Sequence, residues 1–318
     1  MSRATVFIDG HVGTTGLRIR DWLAGRDEID VVSLDEEHRK DPAARRQALV
    51  AADLAVLCLP DEAAREAVSL VHESGTRVID ASTAHRVDEG WAYGLPELSP
   101  DQRAAIAEAR FVSNPGCYPT AVILGLRPLV DEGLLSADAP ITVHALSGYT
   151  GGGRGMIERW EDPTSGHVGL TFEAPYALER RHKHVPEMMR YGGLSRPPHF
   201  VPAVGPFACG MRVEIPLHVD VLARGASAQR IAEALSERYR GERFVHVEPF
   251  QDPFPVEDFR FDPRRCNDTN RIELAVVPHP DGHVLLIGLL DNLGKGAAGA
   301  AIQNLNLMLG LDEGDGLL

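Results

Sequence analysis

Short apolar runs alternate with helical segments through the first third of the chain. Strands are predicted at residues 5–8, 29–34, 54–59 and 78–80, and helices at residues 16–23, 45–52 and 61–73. Apolar strands that alternate with helices are typical of a parallel sheet, because the connecting helices cover both of its faces. The pattern therefore predicts an α/β domain at the start of the chain.

After residue 117 the predicted strands follow one another with few helices between them. Helices are expected at residues 119–132 and 228–239, and strands at residues 141–145, 200–202, 211–222, 243–247, 272–277 and 284–290. This order predicts a second, α+β domain with a mostly antiparallel sheet. The glycine-rich residues 147–155 are predicted to form a loop. The Ala-rich, apolar residues 297–309 are predicted to form a buried final helix.

A glycine-rich turn connects the first predicted strand to the first helix. Gly10, Gly13 and Gly16 form a GxxGxxG variant of the dinucleotide-binding fingerprint, with Thr14 and Thr15 between them. Glycine lets the backbone approach a pyrophosphate closely, and the helix N-terminus supplies N–H donors and positive partial charge. We predict a dinucleotide site at this turn. A tight turn that binds no ligand is the alternative.

The residues after the second strand bear on the choice of dinucleotide. Asp35 holds roughly the position from which an acidic residue binds the ribose 2′-hydroxyl of NAD. Arg39 and Lys40 follow closely, and two cations there suit the 2′-phosphate of NADP. We predict NADP as the cofactor. A solvated, charged loop is the alternative for both cations.

The segment SNPGCYPT, residues 113–120, contains the strongest candidate for a nucleophile. A β-like run at residues 110–113 leads into a turn, and Pro119 suits the first turn of the helix that follows. Cys117 is thus expected at or just before a helix N-terminus, a position that exposes a thiol and lowers its pKa. A buried structural cysteine is the alternative, and it fits Cys58 better.

Composition limits the partners and the location of the protein. The chain has 46 acidic and 32 basic residues and a formal net charge of −14, which disfavours nucleic acid and anionic membranes as partners. Its first residues lack the pattern of a signal peptide, and no apolar run approaches the roughly 18 residues of a membrane helix. The four cysteines include no CxxC pair, so we expect a cytoplasmic protein without disulfides or a bound metal.

Seven segments that span almost the whole chain resemble the N-acetyl-γ-glutamyl-phosphate reductases of arginine biosynthesis, specifically their shorter second type. The segments are GHVGTTG (10–16), DASTAHR (80–86), YGLPEL (93–98), SNPGCYPT (113–120), SGYTGGGR (147–154), HKHVPEM (182–188) and DNLGKGAAGAAIQN (291–304). SNPGCYPT together with HKHVPEM is specific, whereas the glycine turn occurs in many dinucleotide-binding proteins. The longer first type has a longer region after the second strand, so the resemblance does not fix the residues that bind the 2′-phosphate.

The resemblance implies roles for the residues around the nucleophile. Cys117 is expected to be the catalytic nucleophile and His182 the general acid and base. His184 and Glu187 are expected to bind and orient the substrate beside it. Two histidines separated by one residue lie on different faces of a helix but on the same side of an extended stretch, and the sequence leaves this choice open.

Further residues are expected to contact the substrate or the cofactor. Arg86 and Arg154 are candidates for the substrate's phosphate and carboxylate, because guanidinium groups match such oxyanions. Which arginine binds which group stays open, and surface arginines are the alternative. The resemblance implies that Ser147 contacts the substrate. It also implies that Asn292 and Gly296 contact the cofactor near the nicotinamide, although a plain corner between a strand and a helix is the alternative there.

The resemblance implies a reaction, the NADPH-dependent reduction of N-acetyl-γ-glutamyl phosphate to N-acetylglutamate 5-semialdehyde and phosphate through a thioester on Cys117. The alternatives are another acyl-phosphate reductase, of the aspartate-semialdehyde dehydrogenase or aminoadipate type, and a non-catalytic NADP-binding sensor. Gly116 argues against the aspartate type, which typically has Asn directly before the nucleophile. The joint presence of Cys117 and His182 argues against the sensor.

The resemblance also implies an arrangement of domains. A Rossmann-type NADP-binding domain is expected from residues 1–115 together with 296–318. A catalytic and dimerisation domain is expected from residues 116–295. The final helix is expected to return to the N-terminal domain, and the protein is expected to be a homo-oligomer.

Overall fold

The chain folds into two compact units. The computed structural model describes residues 3–179, 182–257 and 259–317. The N-terminal unit comprises Met1–Gly116 and Ala297–Leu318, and the central unit comprises Cys117–Gly296. Each unit is built around its own sheet. Among the helices in the described ranges, none is long and apolar enough to cross a membrane.

A six-stranded parallel sheet forms the core of the N-terminal unit. Its strands are β1 (Ala4–Asp9), β2 (Ile29–Val32), β3 (Leu54–Leu57), β4 (Arg77–Asp80), β5 (Ala92–Tyr93) and β6 (Phe111–Ser113). All neighbouring strands run parallel, in the order β2-β1-β3-β4-β6-β5. Strand β3 is buried along its whole length, as expected for a strand covered on both faces. The predicted α/β domain is confirmed.

Helices accompany the strands of this sheet. They are α1 (Thr14–Leu23), α2 (Pro42–Ala51), α3 (Asp61–Leu70) and α4 (Gln102–Glu108). Helix α2 begins where the Asp41 carboxylate accepts the N–H of Ala43 at 2.9 Å and Pro42 takes the first helical position. Local sequence signals therefore set this helix start, three residues before the predicted one.

A seven-stranded mixed sheet forms the core of the central unit. Its strands are β7 (Thr142–Gly148), β8 (Ala174–Pro175), β9 (His199–Gly205), β10 (Met211–Leu217), β11 (Val245–Val247), β12 (Ile272–Pro278) and β13 (Val284–Leu290), in the order β11-β12-β13-β10-β7-β9-β8. The pairs β7–β9 and β11–β12 are parallel, and the other pairs are antiparallel. The α+β class and the mostly antiparallel sheet are as predicted, and the two parallel pairs make the sheet mixed. Parallel neighbours need a crossover, which residues 149–198 and 248–271 supply.

The helices of the central unit include two that the sequence pattern did not predict. Among the described residues of this unit, the α-helices are α5 (Cys117–Asp131), α6 (Arg154–Glu161), α7 (Val185–Gly192) and α8 (Ala228–Arg238). The glycine-rich residues 147–155 were predicted to form a single loop. This prediction is wrong, because a 3₁₀ turn spans Tyr149–Gly152. Gly153 then adopts a φ of +73° and leads into α6, so that Arg154 begins a helix.

The last helix packs within the N-terminal unit. A π-helical turn at Gly294–Ala298 precedes α9 (Gly299–Leu309), which is buried along most of its length. The Asn304 side chain donates to the carbonyl of Gly94 at 2.9 Å and to the Asn114 side chain at 3.1 Å. A Cβ atom on Gly94 would lie only 2.3 Å from the Asn304 amide nitrogen. The close approach of α9 therefore requires glycine at position 94.

Candidate active site

The glycine turn after β1 brings backbone groups close together. Gly10 has a φ of +91°, and a Cβ atom there would lie 2.3 Å from the carbonyl oxygen of Cys58. A Cβ atom on Gly16 would lie 2.5 Å from the carbonyl oxygen of Gly10. Helix α1 begins directly after Gly13, at Thr14. Side chains at these glycine positions would therefore fill the space inside the turn. The open turn and the adjacent helix N-terminus fit the phosphates of a dinucleotide.

A pocket of about 50 Å³ lies beside this turn. Its wall consists of Phe7, Ile8, Asp9, Gly10, His11, Val12, Leu34, Arg39 and Leu59. The Arg39 guanidinium forms an ion pair with Glu36 and places a cation on this wall. Lys40 is exposed and is not part of the wall. Of the two predicted cations, the structure therefore places only Arg39 at the pocket.

Asp35, the residue that would have favoured NAD, is engaged within its own turn. Its carboxylate accepts the backbone N–H of His38 at 2.9 Å and lies 2.7 Å from Nδ1 of the same residue. These hydrogen bonds hold the pKa of Asp35 below its ordinary value. Asp35 does not belong to the pocket wall. This arrangement favours the predicted 2′-phosphate over a free 2′-hydroxyl.

A buried polar turn follows β4. The wholly buried Asp80 carboxylate accepts the hydroxyl of Ser82 at 2.8 Å and lies 2.6 Å from Nδ1 of His85. Arg86 is 7% exposed, and its guanidinium donates to the carbonyl of Ala81 at 3.1 Å. These bonds fix Arg86 at the carboxyl end of the parallel sheet, the edge at which α/β sheets bind ligands.

Cys117 is the first residue of α5, as its position before Pro119 predicted. The residue is only partly buried. The π-helical turn comes so close that a Cβ atom on Gly296 would lie 2.7 Å from the Cβ of Cys117. The Cys117 side chain thus lies at the N-terminus of α5 and also beside the glycine backbone of the π-helical turn. A partly exposed thiol at a helix N-terminus is suited to act as a nucleophile.

An aromatic and imidazole cluster surrounds the residue after the nucleophile. The ring of Tyr118 lies 5.7 Å from that of His182 and 5.9 Å from that of His184. His182 also makes edge contacts with Phe200 at 5.1 Å, and its Nε2 lies 3.3 Å from the hydroxyl of Tyr176. The structure therefore brings both predicted histidines to the start of α5. Sequence reasoning missed Tyr118 and Tyr176, although the position of Tyr118 beside the nucleophile was a signal.

The two histidines lie in a turn, which is neither of the two arrangements that the sequence left open. His184 has helical backbone angles and directly precedes α7. Its N–H donates to Nδ1 of His182 at 3.2 Å, and the two rings are 4.7 Å apart. Glu187 is 1% exposed in the first turn of α7. A tight turn thus keeps both imidazoles against Tyr118.

Asn292 and Ser147 support the glycine-rich turn after β7. The Asn292 side chain accepts the N–H of Gly210 at 2.7 Å and donates to the hydroxyl of Thr150 at 3.0 Å. A Cβ atom on Gly151 would lie 3.2 Å from both the Asn292 amide and the Ser147 hydroxyl. The side chain of Asn292, which is predicted to contact the cofactor, therefore also stabilises this turn through its hydrogen bonds.

Arg154 lies on the surface of the central unit. Its side chain is 80% exposed and donates to Glu158 at 2.7 Å, one turn further along α6. An exposed pair of this kind contributes little to stability. The guanidinium is therefore able to exchange Glu158 for another oxyanion at low cost.

Alkylation of the native protein at pH 8 is expected to modify Cys117 well before Cys58 and Cys266. Burial raises the pKa of the Cys58 thiol to about 12 and that of Cys266 to about 11, so that only about one in 10⁴ and one in 10³ of these thiols is ionised at that pH. A time course with iodoacetamide, read by peptide mass spectrometry, measures the order. Denatured protein is the control, in which the three sites should react at similar rates. If Cys58 or Cys266 of the native protein were labelled as fast as Cys117, Cys117 would not be the reactive thiol of the three.

One group of side chains in the described ranges has the spacing of metal ligands. Donor atoms of His279, Asp281 and His283 lie within 4.8 Å of one another at the hairpin between β12 and β13. However, Nδ1 of His279 accepts the N–H of Asp281 at 3.1 Å, and Nδ1 of His283 accepts the N–H of Val219 at 3.0 Å. A neutral ring held in this way carries its proton on Nε2 and has no lone pair left for a metal. We therefore assign no metal to this group.

Comparison with known proteins matches both parts of the chain to one kind of enzyme. The family model of the semialdehyde dehydrogenase NAD-binding domain matches residues 10–106, and that of the semialdehyde dehydrogenase dimerisation domain matches residues 117–292. Among solved structures, aspartate semialdehyde dehydrogenase II from Vibrio cholerae has a TM-score of 0.72 at 18% identity and covers 97% of this chain and 99% of its own. Aspartate semialdehyde dehydrogenase with NADP from Candida albicans has a TM-score of 0.64 at 15% identity, with coverages of 97% and 99%. These structures share the fold.

Curated relatives are much closer in sequence. N-acetyl-gamma-glutamyl-phosphate reductase of Trichormus variabilis is 48% identical over all of both chains. N-acetyl-gamma-glutamyl-phosphate reductase 2 of Pseudomonas putida is 48% identical over 99% of this chain and 100% of its own, and the reductase of Chelativorans sp. is 50% identical over 96% and 98%. Identity at this level over the full length establishes the family. The chain therefore belongs to the N-acetyl-gamma-glutamyl-phosphate reductase family and is built from semialdehyde dehydrogenase NAD-binding and dimerisation domains.

Proposed function

We propose that this protein reduces N-acetyl-γ-glutamyl phosphate to N-acetylglutamate 5-semialdehyde and phosphate, with NADPH as the hydride donor and a thioester on Cys117 as the intermediate. The observation that carries the proposal is the position of Cys117. It begins α5, and the next residue, Tyr118, contacts the rings of both His182 and His184. Relatives that are 48% identical over their full length and bear the name of this activity support the choice of substrate.

Acylation is the first half of the reaction. His182 takes the proton of the Cys117 thiol, and the sulfur attacks the carbonyl carbon of the acyl phosphate. A carbon–sulfur bond forms, the carbon–oxygen bond to phosphate breaks, and the proton on His182 passes to the departing phosphate. A covalent intermediate of this kind splits one difficult step into two easier ones.

Reduction is the second half. NADPH, when bound, supplies the hydride that reduces the carbonyl carbon of the thioester. The resulting alkoxide re-forms the carbonyl group and expels the Cys117 thiolate. A proton from solvent then restores the thiol, so that one acyl phosphate, one hydride and one proton yield aldehyde and phosphate.

The remaining predicted residues bind the reactants. We assign the cofactor to the N-terminal unit through the glycine turn, with its start of α1 (Gly10, Gly13, Thr14, Thr15 and Gly16), and through Arg39 with Lys40 nearby. Asn292 and Gly296 are assigned to the nicotinamide end. Arg86 and Arg154 are assigned to the two oxyanions of the substrate, and Ser147, His184 and Glu187 to its orientation.

We also propose that the protein is a cytoplasmic homo-oligomer. The match of residues 117–292 to a dimerisation domain supports contacts between copies through the central unit. The scattered, free cysteines support a reducing compartment.

The reverse reaction tests the proposed function. Purified protein is given NADP and phosphate with N-acetylglutamate 5-semialdehyde, and the absorbance of NADPH is followed. We expect NADPH to form only when phosphate and this aldehyde are both present. Activity with aspartate semialdehyde instead would indicate an aspartate-type enzyme, and NADP binding without oxidation of any aldehyde would indicate a sensor. Either outcome would refute the proposal.

Replacement of Arg39 by alanine is expected to weaken NADPH binding by about 5- to 150-fold, the range of one charge-assisted hydrogen bond, and to leave NADH binding nearly unchanged. The reason is that Arg39 lies on the wall of the pocket beside the glycine turn. Lys40→Ala is the matched control, because Lys40 is exposed and outside the wall, and its effect should be smaller. Titration of both cofactors, followed by nicotinamide fluorescence, measures the difference. Equal loss for NADPH and NADH in Arg39→Ala would show that Arg39 does not bind the 2′-phosphate.

A further inference from the structure

Two buried, oppositely charged side chains meet beside the glycine turn of the N-terminal unit. Asp9 ends β1 and belongs to the wall of the pocket next to that turn. Arg45 lies in the first half of α2, and its Nε and Nη2 both donate to Oδ2 of Asp9, at 3.2 Å and 2.8 Å. Asp9 is 5% exposed and Arg45 9%. We call these two side chains the Asp9–Arg45 pair.

The Asp9 carboxylate depends on Arg45 for its compensating charge. Within the described ranges, Arg45 is the one residue whose side chain donates to this carboxylate or forms an ion pair with it. Arg45 has a second acidic neighbour, Glu66, whose carboxylate lies 3.8 Å from Nη1. The Glu66 side chain is 56% exposed, so water and salt screen its charge. The Asp9–Arg45 pair is therefore close to electrically neutral.

The charge of Asp9 bears on what the pocket can hold. Among the described residues that form the wall, Asp9 is the only acidic one and Arg39 the only arginine. The 2′-phosphate assigned to Arg39 is an anion, and the pocket has a volume of only about 50 Å³. Like charges repel more strongly where little water separates them. An uncompensated carboxylate on this wall would therefore oppose the phosphate that Arg39 attracts.

Arg45 is able to remove this repulsion from outside the pocket. It is not part of the wall, so it contacts Asp9 and not the contents of the pocket. A guanidinium that donates twice to a carboxylate forms a strong, charge-assisted contact with no net charge. The Asp9–Arg45 pair also joins α2 to β1. A purely structural link would not make cofactor binding depend on the sign of the charge at either position, which gives a means of separating the two roles.

We propose that Arg45 is a positioning residue that determines cofactor specificity: it cancels the charge of Asp9 and thereby allows the pocket to accept the 2′-phosphate of NADP. The proposal rests on the proposed function in so far as NADPH is the cofactor. Arg45 acts through Asp9, whereas Arg39 acts on the phosphate directly. Cofactor choice thus depends on a residue of α2 as well as on the loop after β2.

Cofactor titrations of three variants without substrate test the role of the charge. Arg45→Met leaves Asp9 uncompensated and should weaken NADPH binding about tenfold, the scale of one partly screened charge, and NADH binding by less than about threefold. Arg45→Lys keeps the charge and should stay within about twofold of the wild type for NADPH. The double variant with Asp9→Asn and Arg45→Met has neither charge and should return to within about twofold of the wild type. Nicotinamide fluorescence measures all of these affinities.

Arg103→Met is the matched control. Arg103 forms an ion pair of the same length, 2.8 Å, with Glu313 in the same unit, and neither residue belongs to the pocket wall. This variant should bind both cofactors as the wild type does. An equal loss of NADPH affinity in Arg103→Met and Arg45→Met would overturn the proposal, because loss of any ion pair would then have the same effect.

Two further outcomes of the titrations would overturn the proposal. One is an equal loss of NADPH and NADH affinity in Arg45→Met, and the other is a double variant that binds NADPH as weakly as Arg45→Met. Should Arg45→Met fail to fold, Asp9→Asn alone decides. It leaves a cation beside the pocket and should bind NADPH at least as tightly as the wild type, so weaker binding would overturn the proposal. A wild type that binds NADPH without oxidising or reducing the substrate would refute the proposed function, while these ratios still decide the role of Arg45.

Discussion

Cys117→Ala is expected to lose turnover by about 10⁴-fold or more, because the thioester cannot form and only binding and orientation remain. The change removes one partly exposed atom at the start of α5 and leaves the glycine turn of the N-terminal unit intact. NADPH affinity and the thermal unfolding midpoint should therefore stay close to wild type. Steady-state rates, nicotinamide fluorescence and circular dichroism measure the three quantities.

Cys209→Ala is the matched control for this prediction. Cys209 is also partly buried in the central unit, where its sulfur lies 3.4 Å from the Thr150 hydroxyl. This variant should retain most of the activity. Turnover of Cys117→Ala near the wild-type level would end the thioester mechanism.

His182→Asn is expected to lower kcat by about 10²–10⁴-fold, the usual cost of losing a general base. His184→Asn is its matched partner, because both rings contact Tyr118 and lie 4.7 Å apart. Loss of a binding contact should raise KM more than it lowers kcat, so His184→Asn should mainly weaken substrate binding.

The pH dependence of kcat/KM separates the two histidines further. Loss of the general base should remove one limb of the profile in His182→Asn, whereas His184→Asn should keep both limbs. The reverse pattern would exchange the roles of the two residues.

Local sequence patterns predicted the fold of the N-terminal unit well. The alternation of apolar strands with helices identified the parallel sheet, because burial on both faces leaves no polar alternation in strands such as β3. At the start of the central unit, Cys117 was predicted at a helix start from the preceding turn together with Pro119, and α5 begins there. Both results depend on local geometry that neighbouring residues fix.

Features that depend on distant residues were harder to predict. The sheet of the central unit is mostly antiparallel, as predicted, but the parallel pairing of β7 with β9 depends on the crossover between them, which the strand pattern does not reveal. Helix α6 was not predicted because a glycine run precedes it, although Met156, Ile157 and Trp160 have helical spacing.

The contacts of His182 were the part of the candidate site that the sequence predicted least well. A single residue between two histidines suggested either opposite faces of a helix or one side of a strand, yet both rings contact Tyr118 from a turn before α7. Tyr176 reaches the cluster from beside β8, and no local periodicity links it to the start of α5. Only the folded chain brings these side chains together.

Peptide mass spectrometry of the acylated enzyme is the direct test of the thioester on Cys117. Wild-type protein is mixed with N-acetyl-γ-glutamyl phosphate without NADPH, quenched in acid and digested. We expect the mass of one N-acetylglutamyl group, bound as a thioester, on the peptide that contains Cys117, and its disappearance when NADPH is added before the quench. An unmodified Cys117 peptide under conditions that support turnover, or an adduct on another residue, would contradict it.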